Sequence, residues 1–211
     1  MAKIRLTETI LLEGVHQLAQ RDPDLARIVS VIGPPPLWHR EPGFPTLLHI
    51  ILEQQVSLAS ARAAFNRLNL AADPLTPGTF LSFSDEALKG FGFSRQKTRY
   101  GRELAHAILR GSLDLAALED LEDEQVRQQL MQVKGIGRWT ADIYLLMALG
   151  RPDIWPTGDL ALHAALQRVK GLLKRPTSEE AHTMSAAWHP WRAAAARLLW
   201  HLYLSGQSIR E

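Results

Sequence analysis

Apolar side chains along this chain recur at intervals of three and four residues and almost nowhere alternate with polar ones. That period suits helices packed through one face and leaves no run of alternating residues from which to build a sheet. Glycine and proline break the pattern at 33–45, 71–78, 111–114 and 150–158. Between these breaks Phe44, Leu47, Leu48, Ile51, Leu58, Phe65 and Leu68 fit one long helix starting near Pro45. Ser94 reads as the cap of a helix running to Leu109, and Thr177 with Glu180 forms a capping box for another. Further helices are expected over 8–19, 22–31, 85–89, 123–132, 138–149, 159–170 and 191–204. The run Ala193 to Ala196 reads as plain helix material. The expected fold class is all-α.

Composition removes several kinds of chemistry. The 211 residues contain no cysteine, which excludes disulfides, thiolate zinc sites, thiol nucleophiles and cysteine-held iron–sulfur clusters. Nothing in the sequence resembles a bilayer span or a signal peptide, so a cytoplasmic, membrane-free, monomeric protein is expected. A net charge of +2 is too small for a polycationic binder. Its distribution is uneven: Lys89, Arg95, Lys97, Arg99, Arg102 and Arg110 face a single Glu103 within one stretch, while residues 119–124 hold five carboxylates. Such blocks also suit solvated helix faces.

The densest signal is QQLMQVKGIGRWTADIYLLMALGRPDIWPTGDLAL, residues 128–162. A short helix meets Gly135-Ile136-Gly137 and a second helix starts at once, a turn that glycine makes at little steric cost. Backbone amides at such a turn, together with the start of the next helix, suit a phosphate and ignore base identity. Ile136 would tuck between the two helices. Alone, the pattern equally fits any tight corner between helices.

The string VKGIGRWTADIYLLMAL followed by WPTGDLAL resembles the helix-hairpin-helix and aspartate loop of base-excision DNA glycosylases. Within that superfamily the chain resembles the bacterial 3-methyladenine DNA glycosylase II group. ILEQQVSLASARAAF is similar to that group's first conserved helix and WHPWRAAAARLLWHLYL to its last, so the likeness runs from about Phe44 to Leu204. The resemblance implies two helical subdomains with double-stranded, damaged DNA bound in the cleft between them. One would span residues 36–142. The other would combine 1–35 with 143–211, in a compact form without the additional N-terminal mixed α/β domain of some members. It further implies a DNA repair enzyme that flips alkylated purines of the 3-methyladenine or 7-methylguanine type and hydrolyses their N-glycosidic bond. Hypoxanthine or ethenoadenine excision, and non-catalytic lesion binding, remain as alternatives.

Several roles follow residue by residue. Asp159 aligns with the family's catalytic aspartate; a carboxylate there stabilises the sugar cation that develops as the base departs, although the same residue also suits a helix cap. Position 139, where strand-nicking relatives carry a lysine nucleophile, is Trp139, which implies no lyase activity. Trp200 matches the tryptophan that stacks on the flipped base, with Trp139 beside the same base pocket, and either also suits an ordinary core. A cationic alkylated base is a good leaving group and gains cation–π attraction on tryptophan. Gln54 and Gln55 fall at the wedge that fills the vacated stack, Gln55 at its tip. Lys134, Gly135, Ile136, Gly137, Arg138 and Thr140 would contact phosphate, with Lys134 standing where relatives often have proline. No cofactor is expected beyond a monovalent Na or K ion on the backbone carbonyls of Met131, Val133 and Ile136.

Overall fold

The computed structural model describes residues 4–207, which form helices and short 3₁₀ turns, with no strand among the described residues. In chain order the helices are α1 (Glu8–Arg21), α2 (Pro23–Ile32), α3 (Phe44–Glu53), α4 (Leu58–Ala71), α5 (Pro77–Ser82), α6 (Asp85–Phe91), α7 (Arg95–Leu109), α8 (Asp123–Met131), α9 (Arg138–Met147), α10 (Leu160–Lys170), α11 (Ser178–Ser185) and α12 (Arg192–Ser205). Among the described residues, no helix is long and apolar enough to cross a membrane. The chain forms two compact units, one from its two ends, up to His39 and from Leu145 onward, and one from Arg40–Tyr144.

The terminal unit is built around α12, which packs against α1, α2 and α10. Ala193, Ala194, Ala195 and Ala196 are all wholly buried. The alanine run is therefore more than good helix material, because methyl side chains on every face let several helices approach one axis. Arg197 is equally buried and spends its donors on the carbonyls of Leu37 (2.8 Å), Ala193 (3.2 Å) and Leu146 (2.9 Å). Burial pulls this guanidinium down to about 9. At the far end of α10, Lys170 Nζ donates to both oxygens of Asp22 and to Asp24, and the indole of Trp188 donates to Asp22 at 2.9 Å. Asp22 caps α2 at the same time, accepting from the amides of Asp24 and Leu25.

The central unit centres on α3, whose Leu47, Leu48, Ile50 and Ile51 are wholly buried against α4 and α7. Phe44, Phe80 and Phe93 add edge-on and tilted ring contacts. The single long helix expected from Pro45 to Leu68 is instead two, α3 and α4, separated by a turn at Gln54–Ser57. Ser57 caps α4 by accepting the Ser60 amide at 3.2 Å. The end of α3 is held from outside its own sequence, because Lys97 Nζ on α7 donates to the Leu52 carbonyl. Helix α5, falling in a stretch whose prolines read as breakers, starts with Thr76 as cap and Pro77 in the first turn.

Candidate active site and nucleic-acid interface

Asp159 follows Pro156-Thr157-Gly158, where Gly158 takes the left-handed backbone (φ +83°) that turns the chain into α10. The carboxylate caps that helix, accepting the Leu162 amide on Oδ1 at 2.9 Å. The same oxygen accepts the indole N–H of Trp200 at 3.2 Å. Two donors from separate helices thus converge on one carboxylate oxygen and fix its orientation. Asp159 and Trp200 each retain 8% of their surface exposed, so neither is sealed.

Trp200 therefore does more than present an aromatic face. Residues 159 and 200 lie too far apart in sequence for any local pattern to reveal their bond. One turn along α10, His163 is 5% exposed and its Nε2 has no hydrogen-bond partner in the protein. Burial, against the opposing field of Asp159, holds this imidazole below its ordinary value.

In the central unit, α8 ends at Met131 and the chain turns through Gly135-Ile136-Gly137 into α9. Ile136 is 4% exposed, as expected for the residue that pins the hairpin, and its amide donates to the Val133 carbonyl at 3.0 Å. Gly135 has φ +99°, and a Cβ there would stand 2.2 Å from Cγ of Tyr100. Backbone conformation and the Tyr100 ring therefore both demand glycine at this position. Gly137 is exposed, and a Cβ added to it meets nothing within 4 Å, so this flank of the turn is open to a ligand. Lys134 and Arg138 are exposed; Arg138 also lies 3.7 Å from Glu124 and 4.0 Å from Asp142. Asp142 also pairs with Arg127, at 2.6 Å.

Two expected contact residues face inward. The Thr140 side chain is 1% exposed and accepts from Gln54 Nε2 at 2.9 Å, so its hydroxyl is not displayed to a phosphate. Gln54 Nε2 also donates to the Gly135 carbonyl at 2.9 Å. Its amide is thus committed to the hairpin rather than extended as a wedge. Gln55 is different: exposed, at the apex of the turn, and left-handed at φ +56°, a conformation costly for a residue with a Cβ. Gln54 ties this protruding tip to the hairpin as one piece.

Trp139 is half-buried in the first turn of α9. Asp159 and Trp200 are brought together within the terminal unit, and Gln54, Gly135 and Thr140 within the central one. No cluster of acidic, histidine or cysteine side chains suited to a metal ion occurs among the described residues. Of the three carbonyls expected around a monovalent cation, that of Val133 already accepts the Ile136 amide and keeps its second lone pair.

Comparison with known proteins agrees with this geometry. Residues 48–192 match the profile of the HhH-GPD superfamily of base excision DNA repair proteins. The chain is 29% identical to DNA-3-methyladenine glycosylase 1 of Schizosaccharomyces pombe, over 91% of its own length and 87% of that protein. It superposes with a TM-score of 0.87 on the solved structure of the same yeast's 3-methyladenine DNA glycosylase in complex with abasic DNA, at 27% identity, covering 94% of this chain and 99% of the other. A crystal structure of a DNA-3-methyladenine glycosidase from Bacillus halodurans gives a TM-score of 0.74 at 27% identity, covering 99% of this chain and 96% of the other.

Proposed function

Because the chain belongs to the HhH-GPD superfamily of base excision DNA repair proteins, we propose that it is a monofunctional DNA glycosylase excising alkylated purines from duplex DNA. The observation that carries this reading is the Asp159 carboxylate, held by the Leu162 amide and the Trp200 indole at the start of α10.

As the N-glycosidic bond breaks, positive charge grows on the deoxyribose, and a preoriented anion lowers the energy of that state without having to reorganise. Water then adds at the anomeric carbon. Alkylation at N3 or N7 makes the base cationic, so it leaves without needing a proton from a general acid. Trp200 offers its ring to such a base while its N–H steadies Asp159, and Trp139 supplies a second aromatic surface.

A Schiff-base route needs an amine on the sugar, and residue 139 supplies an indole instead. The proposed product is an intact abasic site. Gln55 fills the vacated stack, and the amides around Gly135 and Gly137, with Lys134 and Arg138, hold the backbone. A monovalent cation on the carbonyls of Met131, Val133 and Ile136 belongs to the same proposal, using the second lone pair of Val133.

Asp159→Asn tests the assignment. Asparagine caps helices as well as aspartate does, so the fold and DNA affinity are expected to persist while single-turnover release of 3-methyladenine falls on the order of a hundredfold or more. Wild-type rates in that variant would remove Asp159 from the chemistry. Strand scission without heat or base would contradict the monofunctional reading.

A further inference from the structure

The side of the hairpin that faces α7 carries, beside Lys134, polar side chains to which no role has been assigned. The Tyr100 ring lies against Cα of Gly135, and its hydroxyl accepts from Gln96 Nε2 at 2.7 Å. An acceptor bond leaves the phenolic hydrogen uncommitted. The Arg99 guanidinium stands 5.7 Å from the ring centroid. The Gln96 hydrogen bond, opposed by slight burial and joined by a hydrogen bond from Arg99 and the charges of Arg99 and Lys134, holds the phenol below its ordinary range.

The neighbouring charges sharpen the picture. Arg138 shares Glu124 and Asp142 with Arg127. Arg40 is engaged by Glu53 and Arg102 by Asp85. Arg99 and Lys134 form no ion pair among the described residues, and both charges act on the Tyr100 phenol.

We propose that Tyr100 and Arg99, with Lys134 shared between the two sites, form a second DNA phosphate site, adjoining the one at the hairpin amides and binding the next phosphodiester along the same strand. Tyr100 donates its hydrogen to a phosphate oxygen, with Gln96 orienting the phenol. Arg99 and Lys134 supply the charge. The site contacts no base, so it strengthens binding to any duplex and contributes register rather than lesion choice. It rests on the reading of the chain as a DNA-binding repair enzyme.

The test is binding of the full chain to an undamaged fluorescent duplex by anisotropy across a potassium chloride series, with Tyr100→Phe and Arg99→Ala. Phenylalanine keeps the ring over Gly135, and the melting temperature of each variant checks the fold. Tyr100→Phe is expected to weaken binding by roughly fivefold to tenfold, as for a hydrogen bond to a charged acceptor. Arg99→Ala should weaken it similarly and reduce the slope of log affinity against log salt by about 0.9. The excision rate at saturating DNA should stay unchanged in both. Wild-type affinity and slope in both variants would overturn the site, and so would an effect of Arg99→Ala unaccompanied by one from Tyr100→Phe. A chain that binds DNA but releases no base would instead defeat the enzymatic reading and leave this one to be decided by the slopes.

Discussion

The two units fix their functional parts by opposite means. In the terminal unit several polar and charged groups are turned inward and hydrogen-bonded: Asp159 to Trp200 and Leu162, Arg197 to three carbonyls, Asp22 to Lys170 and Trp188. In the central unit the parts proposed to meet DNA lie at the surface, and backbone geometry shapes them: a left-handed Gly135, a left-handed Gln55, and α3 stopped by a lysine from another helix. The carboxylate proposed to act on the sugar needs immobility, which buried polar bonds supply. Backbone contacts to nucleic acid need a shaped surface open to a large ligand, which glycine turns and caps supply.

Arg197→Ala should be the most damaging change, since it opens a cavity and orphans buried carbonyls. A loss of about 4 kcal/mol in urea unfolding is expected from these two effects, and a loss below about 1 kcal/mol would break the contrast on the terminal side. Gly135→Ala comes next, at about 3 kcal/mol from backbone strain and collision with Tyr100. Adding Tyr100→Ala should recover part of that loss; no recovery would assign the whole effect to φ.

Smaller effects separate the neighbouring glutamines. Gln54→Met removes the donor shared by Gly135 and Thr140, and about 1.5 kcal/mol of stability should go with it, together with slower excision. Gln55→Ala should leave urea stability within about 0.5 kcal/mol yet slow single-turnover excision roughly tenfold, as expected when a stack-filling side chain is lost. Equal stability losses in the two variants would refute this division between a brace and a tip.

Each unit also carries one imidazole held below its ordinary value, mainly by desolvation: buried His163 in the terminal unit and half-buried His49, stacked on Phe65, in the central one. The unfolded chain takes up these protons first. Stability is therefore present above the usual histidine range near 6.5 and declines as pH falls from there toward the lowered folded values. Comparing urea midpoints at pH 7 and pH 5 checks the sign, and His163→Gln should flatten the dependence without abolishing it.

Much of this was legible locally because caps and turns are written in adjacent residues. Ser94, the Thr177–Glu180 box and Asp159 all cap the helices expected of them, and the Gly135–Gly137 turn lies where its spacing indicates. Helix α5 carried a readable signal too, a threonine cap followed by Pro77, outweighed by its reading as a cluster of breakers. The break between α3 and α4 carried only one local cue, the Ser57 cap of α4, which the continuous apolar spacing outweighed. The QQVS stretch contains neither glycine nor proline, and the groups that end α3 and hold the turn, Lys97 and the hairpin's Gly135 and Thr140, arrive from distant sequence. The Trp200–Asp159 bond and the Tyr100 ring on Gly135 were hidden for the same reason.

The positive φ of Gln55 sets a trade-off for anyone engineering this protein. Glycine adopts that geometry freely, so Gln55→Gly is expected to raise thermal tolerance, by up to about 1 kcal/mol. The same exchange would erase the side chain proposed to occupy the gap in the base stack. Selecting variants for robustness alone would therefore drift toward well-folded molecules that release damaged bases poorly.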